Sequence, residues 1–194
     1  LEQDNSVIES LPTATVEYAL IKSGGEHRGA QEFRGYDGKT VNPSGLIDMG
    51  RYMQRIEIPE VLYADSQDYS GSIELAALPR YFVLTQKVTR SSAVSDLTLS
   101  MDFEGAAFKP FTERAFLEGN RAISIANADG EGWVFLVADR EGMESSIVST
   151  GSGGLSFRAT YSSAYAGQEM ALSVVGIPSA AATDPQLSLS LIHI

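Results

Sequence analysis

Asp96-Leu97-Thr98-Leu99-Ser100-Met101-Asp102-Phe103-Glu104 is the stretch on which the fold turns. Leu97, Leu99, Met101 and Phe103 fall on one side of an extended chain. Asp96, Thr98, Ser100, Asp102 and Glu104 fall on the other. Successive strand side chains point to opposite faces, so this strict alternation predicts a strand with one buried and one wet face. A helix would scatter the same four apolar residues around its circumference.

Working outward, ten further segments read as strands, at the short, regular spacing of sandwiches and barrels. On the N-terminal side they are Thr13–Ile21, Gln31–Tyr36, Arg51–Ile58, Ser72–Leu78 and Tyr81–Thr89. Arg121–Ala126, Trp133–Ala138, Ser145–Ser149, Leu155–Tyr161 and Glu169–Val175 follow. Pro59 ends the third of these or marks an edge, because proline cannot donate to a ladder. Residues 26–50 form the least regular stretch and read as a long loop around one short strand. Asp65–Gly71 and Ser162–Gly167 read as turns. The best helix candidate is a short piece at Thr112–Glu118. The expected fold is therefore all-β, an antiparallel two-sheet β-sandwich with few or no helices. Pro59, Pro79 and charged residues are expected to blunt its edges. No repeat of fixed period stands out.

Composition narrows the function classes. The chain has 194 residues, 43% hydrophobic and 20% charged, enough apolar content for a real core. Its formal net charge is −11, which repels phosphates and anionic membrane surfaces, so nucleic acid is not an expected partner. With no cysteine there are no disulfides, thiol nucleophiles or thiolate metal sites. The two histidines are His27 and His193, too few for a histidine-rich zinc site. No apolar run approaches the ~20 residues that a membrane-spanning helix needs.

Candidate functional residues are few. Asn127, Asp129 and Glu131 place oxygen ligands at alternate positions of a hairpin loop, a pattern that calcium accepts, although the full twelve-residue loop of an EF-hand is missing. Calcium apart, no cofactor is expected. Asp102, Glu104, Glu113 and Glu118 are the carboxylates available for glycosidic acid–base work, which needs two of them facing across a cleft. Asp102 and Glu104 sit side by side on one strand face instead. Gly151-Ser152-Gly153-Gly154 lacks the lysine and the helix of a phosphate loop. Aromatic faces that can stack on sugar rings are the remaining signal. Trp133 opens a strand beside the hairpin loop, and Tyr36, Tyr52, Tyr63, Tyr69 and Tyr165 lie in or near turns. Trp133, Tyr36, Tyr52 and Tyr69, with Arg51 to hydrogen-bond hydroxyls or a uronate, form the candidate carbohydrate-binding set. No catalytic residue is assigned.

Gly71-Ser72-Ile73-Glu74-Leu75-Ala76-Ala77-Leu78-Pro79, the long strand Tyr81–Thr89 and Leu97–Gly105 together resemble the galactose-mutarotase-like supersandwich domains of bacterial carbohydrate-active enzymes. The resemblance is one of pattern and extends over about two thirds of the chain. It implies an accessory domain that packs against a glycosidase or lyase module and sometimes lines its cleft. The mutarotases themselves use a catalytic histidine pair and a glutamate. Here only His27 lies outside the tail, so mutarotase activity is not expected.

The ends of the chain carry their own expectations. Residues 1–12 read as a leading arm or linker, 13–178 as the sandwich and 179–188 as a linker. Leu189-Ser190-Leu191-Ile192-His193-Ile194 resembles one translated frame of a sequencing adapter. That resemblance implies a fragment cut off at the edge of an assembled environmental sequence. The leading expectation is a non-catalytic carbohydrate-associated domain of a larger exported bacterial glycan-processing protein, extracellular or periplasmic. Its partner would be a carbohydrate or an adjacent catalytic module. The alternatives are a structural or adhesive cell-surface module, and part of a hydrolase or lyase whose active site needs further sequence.

Overall fold

The computed structural model describes residues 16–23, 26–28, 30–34, 47–49, 54–63, 68–78, 81–103, 108–150 and 153–178. Among these residues the fold is all-β and antiparallel, with two sheets and no α-helix. In chain order the strands are β1 (Val16–Ser23), β2 (Glu26–Arg28), β3 (Ala30–Arg34), β4 (Ile47–Met49), β5 (Gln54–Tyr63), β6 (Tyr69–Leu78) and β7 (Tyr81–Arg90). They continue with β8 (Val94–Phe103), β9 (Glu113–Leu117), β10 (Ala122–Ala126), β11 (Gly132–Val137), β12 (Met143–Ser149), β13 (Leu155–Ala164) and β14 (Met170–Pro178). The smaller sheet has five strands in the order β12-β13-β8-β1-β2. The larger has nine, in the order β3-β5-β6-β7-β14-β11-β10-β9, with β4 pairing β5 beside β3.

The alternating stretch is β8, at the centre of the smaller sheet. Leu97, Leu99 and Met101 are fully buried and stand opposite Tyr161, Ala159 and Phe157 of β13. The wet face is drier than the pattern suggests. Ser100 and Ser156 are buried on it, and Asp102 Oδ1 is closed to solvent with no hydrogen-bond partner. The alternation also stops at Asp96, whose φ of 55° breaks the extended backbone.

The larger sheet supplies the other inner face through Ile73 of β6, Leu84 and Val88 of β7, Leu172 and Val174 of β14, Phe135 of β11, and Ile123 of β10. Aromatic rings bridge the layers. Phe135 meets Phe157 edge-on at 5.7 Å, and Phe108 connects Phe103 to Phe135. Burying rings of this size gives each roughly 1.5–3 kcal/mol. On the outer face of the larger sheet Glu57 and Glu74 stand directly opposite one another, a repulsive arrangement. Arg55 bonds both, at 3.0 and 2.8 Å.

Three sequence expectations need correction. Pro59 does not end its strand. β5 runs on to Tyr63, and the register against β6 gains one residue between Ile58 and Val61. The proline sits in that β-bulge, where a missing N–H costs no ladder bond. Thr112–Glu118 is not helical. Glu113–Leu117 is strand β9, followed by a 3-10 turn at Glu118–Asn120. Five residues are too few to hold a helix without tertiary support, and pairing with β10 supplies a ladder instead. The irregular stretch 26–50 contains two further short strands, β2 and β4. With β9 these raise the eleven expected strands to fourteen among the described residues. Residues 1–12, Pro79, the 179–188 linker and the tail lie outside the described residues.

Candidate functional site

The site begins with a turn. After β13 ends at Ala164, Gln168 N donates to Tyr165 O at 3.1 Å, closing a four-residue turn. Gly167 takes the third position with φ 79°, the type II arrangement that favours glycine there. Tyr165 N donates to Gln168 Oε1 at 3.1 Å, so the remaining hydrogen-bonding group of that amide is the donor Nε2. Gly167 N donates to Arg90 O at 2.8 Å, tying the turn to the end of β7. On the neighbouring strand Ser95 lies opposite Ser163, and Val94 opposite Ala164.

Together Ala93, Ser95, Ser163, Ala164, Tyr165 and Gln168 line an open hollow of about 510 Å³. The volume suits a small ligand. The hydroxyls of Ser95 and Ser163 and the amide of Gln168 among the lining side chains offer hydrogen bonds. Tyr165 is 72% exposed, a large aromatic left in water beside the hollow. A flat apolar face flanked by short polar groups can stack on one face of a pyranose and bond its rim hydroxyls.

The aromatics singled out in the sequence go elsewhere. Trp133 is 3% exposed, stacked on Phe135 at 6.0 Å and tilted against Phe82 at 5.7 Å. It is a core residue with no face open to a sugar, because it points inward from a strand buried on both faces. Tyr69 is also buried, with the Arg90 guanidinium 5.1 Å from its ring centre. Tyr36, Tyr52 and Arg51 lie outside the described residues. Tyr63 is buried and accepts a bond from Gln86 Nε2 at 3.1 Å. Burial pushes its phenol up to about 12, partly offset by that bond. Of the described tyrosines near turns, Tyr165 lines this hollow, while Tyr63 and Tyr69 are buried. Ser95, Ser163 and Gln168 were missed, and no sequence pattern announces them.

Asn127, Asp129 and Glu131 do share one hairpin loop between β10 and β11. Asn127 Oδ1 accepts the backbone N–H groups of Asp129 at 3.0 Å and Glu131 at 2.9 Å. Asn127 Nδ2 donates to Glu131 Oε2 at 3.3 Å. The asparagine therefore works as a turn residue, closing the loop over Gly130 at φ 80°. Among the described residues no three histidine or carboxylate side chains gather as a metal cage would need. Of the carboxylates considered for acid–base work, Asp102 belongs to the smaller sheet and Glu113 to the edge of the larger. No helix among the described residues is long and apolar enough to cross a membrane.

No family model matches the sequence, and no curated protein matches it. Solved structures do resemble the fold. Heparan sulfate lyase HepC from Pedobacter heparinus aligns at a TM-score of 0.50 and 8% identity, over 82% of this chain and 23% of that one. A mutant of the same lyase aligns at 0.51 and 8% identity, over 92% of this chain and 27% of the other. A heparinase III aligns at 0.51 and 10% identity, over 82% and 23%. The chain thus spans about a quarter of the length of these three structures. At these identities the likeness concerns the sandwich alone.

Proposed function

We propose that this chain is a non-catalytic, carbohydrate-associated β-sandwich domain of a larger exported glycan-processing protein. The observation that carries the reading is the hollow beside Tyr165, an exposed aromatic on a turn set beside the hydroxyl and amide side chains of Ser95, Ser163 and Gln168. Support comes from the fold, which also forms about a quarter of lyases that act on heparan sulfate. Fold does not carry function, so the site has to bear the argument. No opposed pair of carboxylates accompanies the hollow among the residues that line it, and this favours binding over bond cleavage.

A glycan array probed with the full chain, wild type against Tyr165→Ala, tests the reading. Saccharide binding that disappears in the variant supports it. Binding that Tyr165→Ala leaves intact removes this hollow as the site.

One observation favours a second reading, a self-associating structural module. β9 forms an end of the larger sheet among the described strands, and Phe116 is 41% exposed on it beside an exposed Leu117. Edges of this kind invite pairing. Light scattering that shows concentration-dependent association, abolished by Phe116→Lys, would favour that reading.

A further inference from the structure

We propose that β12 is a pairing edge on which a second copy of this chain adds its own β12, antiparallel about Ile147, so that the smaller sheets of two copies run into one. The proposal stands apart from the carbohydrate reading and uses a different strand from the β9 edge considered above.

Strand ends of a sheet are normally blunted by shortness, bulges, proline or charge. The other ends of the two sheets show such devices. β2 and β4 have three residues each. β3 is bulged against β5 between Ala30 and Glu32. β9 has five residues and opens on the charged pair Glu113 and Arg114. β12 is the exception. Its seven residues hold register with β13, from Met143 opposite Tyr161 to Ser149 opposite Leu155, without a shift. Glu144 is their single charge, and they include no proline. Among the described residues no strand pairs the far side of β12.

The backbone fixes which groups that side offers. Thr150 N donates to Gly154 O at 3.0 Å, so Thr150 turns its amide toward β13. Alternate residues of an antiparallel strand bond opposite neighbours. Glu144, Ser146 and Val148 therefore bond β13, while Ser145, Ile147 and Ser149 turn their N–H and C=O groups outward. A second β12 fits these groups about a two-fold axis at Ile147. Ile147 then exchanges both of its bonds with its own copy, and Ser145 does so with Ser149 of the other strand. Opposed residues point to the same face, so the buried Ile147 side chains keep both cores on one side of the joined sheet.

The register is self-complementary in charge. Glu144 stands across from Thr150, and the two Glu144 side chains are ~20 Å apart along the strands. Exposed apolar side chains gather on the same flank. Phe116, Leu117 and Val148 are three of the four large ones exposed among the described residues, and they lie on β9 and β12. Arg114 Nη2 donates to Gly153 O at 2.7 Å, which ties β9 to the turn that ends β12. A two-fold contact closes on itself, so assembly stops at a dimer.

Analytical ultracentrifugation of the full chain, wild type against Ser149→Pro, tests this from micromolar to millimolar concentration. High salt screens the negative charge that both copies carry. The Ser149 N–H points away from β13, so proline there removes no ladder bond within the chain and blocks only the partner. The expected result is a monomer–dimer equilibrium in the wild type that is lost in Ser149→Pro. Amide hydrogen exchange of the wild type gives a readout that needs no variant to fold. Ile147 and Ser149 should become protected as concentration rises, while Ser146 and Val148 stay unchanged. A wild type that remains monomeric throughout overturns the proposal. So does a dimer that survives Ser149→Pro, or one in which the Ile147 and Ser149 amides gain no protection. Association lost only in Phe116→Lys would likewise overturn it and move the contact to β9.

Discussion

The hydroxyl of Tyr161 bonds Ala171 twice, donating to its carbonyl at 2.7 Å and accepting from its amide at 2.9 Å. Tyr161 belongs to β13 in the smaller sheet and Ala171 to β14 in the larger. Strand β11 pairs with β14 only from Val174 onward, so at Ala171 no strand bonds the side turned away from β7. The phenol takes the place of a missing strand and joins the layers.

Tyr161→Phe keeps the ring and strands both backbone groups of Ala171 in a buried setting. An unsatisfied buried group costs about 1–3 kcal/mol. Urea unfolding should show a loss of that size with an unchanged m-value. A variant as stable as the wild type would mean that water reaches Ala171.

Phe82 lies directly across the ladder from Gly176, and its ring occupies the space a side chain there would need. A Cβ on Gly176 would fall 2.2 Å from Phe82 Cε1. Gly176→Ala must push the ring off its place against Trp133 and Phe135. Overpacking of this sort costs about 1–3 kcal/mol. The double variant Gly176→Ala, Phe82→Leu should lose less than the sum of the single losses. Strict additivity in thermal melts would deny the contact.

Stability should fall at alkaline pH. The Tyr63 phenol is held up to about 12 by burial, against 10.0 for an ordinary tyrosine. Below pH 10 it is protonated in both folded and unfolded chains, and its contribution is complete. Between pH 10 and about 12 the unfolded chain gives up the proton and the folded chain keeps it. The folded state then loses about 1.4 kcal/mol per pH unit. Burial raises Tyr161 as well, so it acts in the same direction. Tyr63→Phe should flatten the slope without abolishing it. Equal slopes in the two proteins would contradict the assignment.

The loop between β10 and β11 depends on one side chain. Asn127→Ala removes the acceptor for two backbone amides, a loss akin to removing a helix cap. By that analogy it should cost about 1 kcal/mol. Asn127→Asp retains the acceptor and should recover most of that stability. Amide hydrogen exchange at Asp129 and Glu131 would report it directly, and unchanged protection in the alanine variant would count against the role.

How far the sequence reaches is clearest in β8 and β9. Leu97, Leu99 and Met101 announce a half-buried strand because a strand reads its own alternation locally. Glu113–Leu117 carries no such pattern, since its apolar residues Ala115, Phe116 and Leu117 run consecutively and an edge strand exposed on both faces need not alternate them. Pro59 misled because a bulge is a property of two strands in register, visible only once β5 lies beside β6. The burial of Trp133 is hard to read from the sequence for a related reason. Its position at a strand start suits a platform, but the depth of β11 decides its burial. The hollow was the least legible feature. Ser95 and Ser163 meet through strand register, and nothing in the neighbourhood of either residue signals the other.

The most direct test of the central claim is a two-dimensional NMR titration of the full chain with saccharides that bind it on a glycan array. The account predicts chemical-shift changes concentrated at Ala93, Ser95, Ser163, Tyr165 and Gln168, with Trp133 and Tyr69 unmoved. Shifts centred on another face, or none at saturating saccharide, would contradict it.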